Sequence, residues 1–259
     1  MQRPLSLNTG TAPPYRWRMR FLLSRLFLSI VAAIVTVVLV ARALTHEQAH
    51  ESGAIGTTGA SDVLDADDTT GIDLPDIILF AADAPVRKGA WVIVADSTAA
   101  GGRRLSHPDA GAPKLNAPLA APTHYFELTF AAESGIPYRL WFRGQAEDND
   151  LSNDSAYVQF SDSVTSSGAP AYRIGTETAM AFTVEDCNRC GVSGWGWQDN
   201  GYGEGVLGPE IFFESGGTHT IRVQTREDGL SIDQIVLSPF TYLDRAPGAT
   251  KDDRTILKR

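Results

Sequence analysis

The chain has 259 residues, a formal net charge of −9 and a sequence pI near 5.0. That length holds one or two domains. A chain this acidic, with no basic block beyond its N-terminus, excludes nucleic acid as a natural partner class.

In chain order, the first 25 residues carry five Arg (Arg3, Arg16, Arg18, Arg20, Arg25) and no acid. Leu26 to Val40 follows and is apolar except for Ser29 and Thr36. A basic flank before an apolar core reads as a signal peptide or a transmembrane signal anchor over residues 1–44. Ala41-Arg42-Ala43 offers a small-x-small cleavage site. The alternative is an uncleaved span from Leu26 to Leu44, with Arg42 reaching to its outer end. Either way the remainder is expected outside the cytoplasm, secreted or tethered to the membrane, where disulfides form.

His46-Glu47-Gln48-Ala49-His50 matches the zinc-protease pattern H-E-x-x-H, and Gly53 extends it toward the metzincin form. Gly56 stands where that form places its third His, and no domain precedes the motif to build a cleft. A chance match is therefore preferred to a zinc metalloprotease. His46 to Asp76 holds eight acids and no Lys or Arg, with few large apolar residues. Such a stretch buries too little area to order itself, so residues 45–75 read as an acidic linker.

A single domain is expected over residues 76–239, and it reads as strands. Asp76–Phe80 and Trp91–Ala95 are short apolar runs. Tyr125–Phe130 alternates, with Phe126, Leu128 and Phe130 on one face. Tyr138, Leu140 and Phe142 alternate against Arg139, Trp141 and Arg143. Tyr157–Phe160, Ile211–Phe213, Thr220–Val223 and Ile235–Leu237 follow. Period-two runs bounded by Gly, Pro, Asn and Ser, with no long helical period between them, predict an all-β fold, a β-sandwich. Residues 240–259 read as a C-terminal tail, frayed over Lys251–Arg259.

The stretch Gly194–Gly203 is the first candidate site. It sets Trp195, Trp197 and Tyr202 beside Gln198, Asp199 and Asn200 in a Gly-rich segment expected to be irregular. Glycine at alternate positions leaves the rings little side-chain cover. If residues 195–197 are extended, both Trp face the same way. Flat rings beside amides and a carboxylate suit a sugar, with its apolar C–H face and rim of hydroxyls. The competing reading makes one or both Trp a plug at the end of the sandwich, and Asp199-Asn200-Gly201 a turn. The loop Asp148–Asp154 gathers oxygen ligands, with Asn153 and Asp154 as candidates for a sugar or calcium. It lacks the Gly and terminal Glu of an EF-hand, and a solvated turn competes. Cys187 and Cys190 lie in a Gly-rich stretch with no helix to lower a thiol pKa and no further zinc ligands at a recognisable spacing. They are expected to form a local disulfide in an exported protein. His107, His124 and His219 form no legible spacing.

The run Arg226-Glu227-Asp228-Gly229-Leu230-Ser231-Ile232-Asp233-Gln234-Ile235-Val236-Leu237 resembles the closing strand of galactose-binding-like jelly rolls. More narrowly, it resembles the carbohydrate-binding modules of bacterial secreted polysaccharide-active proteins. Further similarities come in the same order along the chain: Asp83-Ala84, Ala99-Ala100-Gly101-Gly102, Gly135 to Arg143, and Asn153-Asp154-Ser155. The resemblance covers about residues 76–239 and implies a jelly-roll sandwich that binds carbohydrate without catalysis. Such modules often hold a structural calcium with two early Glu and an Asp of the last strand. Here Phe80 and Ala82 stand at the Glu positions and only Asp233 remains, against the six to eight oxygens calcium takes. Calcium is thus the one cofactor candidate. The expected function is an exported or membrane-tethered, non-catalytic carbohydrate-binding module. A protein-interaction or cell-envelope structural module is the alternative.

Overall fold

A computed structural model describes residues 74–259. The Arg-rich and apolar N-terminal segment, the H-E-x-x-H match and the linker up to residue 73 lie outside the described residues. Among the described residues no helix is long and apolar enough to cross a membrane.

The strands are β1 Ile77–Phe80, β2 Val86–Lys88, β3 Val92–Ala95, β4 Arg103–Ser106, β5 Tyr125–Ala132, β6 Arg139–Ala146, β7 Ser155–Phe160, β8 Ser163–Val164, β9 Met180–Thr183, β10 Gly196–Gln198, β11 Phe212–Phe213, β12 Gly217–Thr225 and β13 Leu230–Ser238. One main sheet runs β10-β6-β13-β4-β3, with β1 also pairing β13; the other runs β2-β5-β12-β7-β9, and β8 pairs β11 in a separate two-stranded ribbon. Pairing within both sheets is antiparallel. The fold is an all-β sandwich of two antiparallel sheets.

Alternation accounts for the main core. In β5, Phe126, Leu128 and Phe130 point inward, as their spacing requires. They meet Leu140 and Phe142 of β6, Val158 and Phe160 of β7, and Ile221 and Val223 of β12. Phe142 stacks on Phe182 with ring centroids 4.6 Å apart. In β13 a bulge between Ile232 and Gln234 shifts the phase, so Leu230 and Ile232 before it and Ile235 and Leu237 after it all reach this core. Asp233 sits at the bulge. β4 pairs with β13 before the bulge, at Ser231 and Ile232, and β1 pairs with β13 after it, from Gln234 to Leu237.

The second face of β6 and β13 is buried as well. Trp141, Trp197 and Val236 form a separate cluster, closed by Ile78, Tyr242, Ala246 and Leu257. The C-terminal segment after β13 therefore covers the outside of the first sheet. The Trp141 indole donates to the Tyr242 carbonyl at 2.7 Å. The Gln234 amide donates to the Leu257 carbonyl at 2.8 Å and accepts from the Leu257 N–H at 3.0 Å. The Asp252 N–H donates to the Ser193 carbonyl, the Asp253 N–H to Trp195 and the Trp197 N–H to Ala249. The frayed tail expected over Lys251–Arg259 is corrected: these residues are tied down by bonds to distant backbone that no local sequence pattern announces.

Candidate functional site

The segment expected to be irregular contains β10, whose Trp197 pairs with Arg143 of β6. Its other edge meets residues 249–253. Trp195 is 5% exposed and Trp197 0%, so neither ring offers a face to a ligand stacked from solvent. This corrects the exposed platform. The Trp195 indole donates to Thr98 Oγ1 at 3.0 Å, and its ring lies 4.9 Å from the Arg143 guanidinium. The Trp197 indole donates to the Thr255 carbonyl at 3.1 Å. The alternate glycines have another cause than bareness. A Cβ at Gly196 would collide with the Thr250 carbonyl oxygen, so glycine admits the C-terminal backbone and thereby buries the rings.

Tyr202 alone among the three aromatics is open, at 55% exposure. The loop that carries it is closed by Asp199, which accepts from the Gly201 N–H at 2.7 Å and the Gly208 N–H at 2.8 Å. Asn200 donates from Nδ2 to the Pro209 carbonyl at 3.1 Å. Cys187 and Cys190, in the approach to this loop, are joined in a disulfide, and Lys251 donates to the Cys190 carbonyl.

Tyr202 and Asn200 border a cleft of about 370 Å³ that also takes in Asp154, Glu185, Lys114 and Arg226. Two buried carboxyls, Asp154 and Glu185, line it, and a third, Glu227, pairs with Lys114 of the same lining. Asp154 accepts from the Glu185 N–H at 3.1 Å. Glu227 meets Lys114 at 2.5 Å and accepts from the Ser155 hydroxyl. Arg226 donates to Ser155 Oγ at 2.6 Å. Burial is the main cause that pushes the Asp154 pKa up to about 7, with a hydrogen bond to Glu227 next. Burial also works to raise Glu227, but Lys114, Ser155 and Asp154 outweigh it and hold its pKa low. The pair thus shares one proton, held on Asp154.

The sign of the pH effect follows. Asp154 binds its proton more tightly folded than unfolded, so its stabilising contribution is complete below about pH 4 and is lost as pH rises to about 7. Asp154→Asn keeps a donor toward Glu227 and an acceptor for Glu185 without titrating. Its melting temperature relative to the parent is expected to rise steadily between pH 4 and 7. A constant offset across thermal melts in that range would refute the shared proton.

The remaining candidates divide. Gln198 and Asp199 line a second cleft of about 200 Å³ with Trp141, Trp197, Asp186 and Arg245. Asn153 lines neither cleft: its Nδ2 donates to Asp109 at 3.2 Å and the Glu147 carbonyl at 3.3 Å. It also packs on Gly229, which at φ +75° has no room for a Cβ. Asp150 accepts from the Ser152 N–H and hydroxyl, which makes this part of the acidic loop a turn. Among the described residues no three His, Cys, Asp or Glu are grouped to hold a metal.

Calcium does not suit the residues at Asp233. Oδ2 of Asp233 accepts from the Ala100 N–H at 2.7 Å and from Arg143. The aromatic ring of Phe80 and the methyl of Ala82 supply no oxygen. Lys114, Glu185 and Arg226 escaped the sequence reading because they converge from three separate loops and strand ends. The illegible histidines also find partners: His107 Nε2 and His124 Nδ1 are 2.8 Å apart, and His219 Nδ1 is 2.6 Å from Asp162.

No family model and no curated protein matches the chain. Among solved structures it is similar to the Podospora anserina GH26-CBM35 β-(1,4)-mannanase, at 14% identity and a TM-score of 0.41, over 67% of this chain and 29% of that one. It is also similar to a family 35 carbohydrate-binding module from Clostridium thermocellum, at 16% identity and a TM-score of 0.37, over 62% and 98% of the two chains. A third similar structure is the module CBM6cm-2 of Cellvibrio mixtus lichenase 5A in complex with cellotriose, at 12% identity and a TM-score of 0.33, over 62% and 95%.

Proposed function

We propose that the chain is a non-catalytic carbohydrate-binding module, exported or tethered to a membrane by its N-terminal segment, and that a glycan binds in the cleft beside Tyr202. The observation that carries this reading is Tyr202 itself. It is a large aromatic held open on a loop that Asp199 closes, at the edge of a cleft rich in polar groups. An open aromatic face suits the C–H face of a sugar ring. Asn200, Asp154, Glu185, Lys114 and Arg226 then offer donors and acceptors to its hydroxyls. Gln198 and Asp199 would serve only a ligand that reaches the second cleft.

The full chain on a broad glycan array is the direct test, followed by titration of the best glycan against Tyr202→Ala. The variant is expected to bind about 10-fold or more weakly, by analogy with aromatic anchors worth about 1–3 kcal/mol. Its melting temperature should match the parent's, because an exposed ring adds little to the core. A parent that binds no glycan, or a variant that binds as the parent does, removes this reading.

A further inference from the structure

The Asp233 carboxylate is wholly buried, and a buried carboxylate needs a counter-charge. Its neighbour is Arg143, 1% exposed, whose Nη1 donates to Asp233 Oδ2. The guanidinium has further partners. Nη2 donates to the Asp253 carbonyl at 3.0 Å, Nη1 reaches the Thr98 carbonyl at 3.5 Å, and Nε lies 3.5 Å from Asp253 Oδ1. Trp195 covers one side at 4.9 Å. Four segments far apart in sequence therefore converge on one cation: β6, the bulge of β13, the turn before β4 and the C-terminal segment. Asp253 is anchored independently, since its carboxylate accepts from the Ala249 N–H at 2.8 Å and the Thr255 N–H at 2.7 Å.

We propose that Arg143 is the resident cation of this domain: it neutralises Asp233 in place of a metal ion, and through Asp253 it fastens the C-terminal segment over the first sheet. The guanidinium suits the task because it stays charged and presents several donors in one plane. A calcium ion would need oxygens where Phe80 and Ala82 stand, and it would meet a positive charge already in place. Asp233 Oδ1, buried without a hydrogen-bond partner, is the one oxygen left over. Metal titration of the unmodified chain is therefore the first arm of the test.

Thermal unfolding of the full chain in EDTA and in millimolar calcium is expected to give the same midpoint. A midpoint that rises with calcium, together with one bound calcium by calorimetry, overturns the proposal. The second arm removes the cation. Arg143→Met leaves Asp233 buried and unpaired, and its midpoint is expected to fall by about 10 °C or more. The double substitution Arg143→Met with Asp233→Leu removes both charges and is expected to recover most of that loss. Arg143→Met melting with the parent, or the double variant melting no higher than the single one, overturns the proposal. If Arg143→Met yields no folded protein, the double variant decides. A cooperative melt near the parent's supports the pair, and failure to fold overturns it.

Discussion

Trp197→Ala is expected to cost about 3–5 kcal/mol of folding stability. The ring is fully buried between Trp141, Val236 and the C-terminal segment, and its indole N–H is bonded to the Thr255 carbonyl. Truncation removes the packing, opens a cavity in the outer cluster and leaves the Thr255 carbonyl without its donor. Equilibrium unfolding in denaturant reads the loss as a lower midpoint. Tyr202→Ala, five residues away, is expected to leave that midpoint in place. The two aromatics thus separate a structural role from a ligand-facing one. A Trp197→Ala protein as stable as its parent would show that the outer cluster contributes little.

Deleting residues 249–259 is expected to be at least as damaging, because it strips hydrogen bonds from a buried guanidinium and packing from the outer cluster at once. The deletion takes away Asp253, and with it two of the contacts around the buried Arg143 guanidinium. It also removes the Leu257 bonds to Gln234 and uncovers the edge of β10. Exposed apolar surface around Trp197 and Trp141 should then bind a hydrophobic dye at temperatures where the full chain does not. A truncated chain that melts cooperatively at the parent's temperature, with no dye binding, would mean the segment merely rests on the sheet.

Both expectations turn on a feature invisible in the linear pattern. Period-two alternation is a local property, and it announced the strands that alternate cleanly, such as β5 and β12. Five strands were not announced. β4, with Arg103-Arg104, and the two-residue β8 are too polar or too short to show a period. β2 has only three residues and β9 four, and β10 looks like a loop because glycine flanks its Trp. Alternation in β6 is plain in the sequence, but the fate of its second face is not. Arg139, Trp141 and Arg143 look like a solvent side and are buried.

The sequence by itself determined that this domain is an all-β sandwich with an apolar inner face, because side-chain alternation along a strand is enforced by backbone geometry alone. It also singled out the Cys187–Cys190 pair and the residues of the 194–203 loop. The tertiary structure decided which of those residues meet solvent. Trp195 and Trp197 went inward because the C-terminal backbone passes close over Gly196, leaving Tyr202 outward on a loop closed by Asp199. It likewise decided that Asp154, Glu185 and Glu227 converge with Lys114 and Arg226, and that Asp233 faces Arg143. Burial and charge pairing depend on which distant segments cover a side chain, and that is fixed only when the chain has closed on itself.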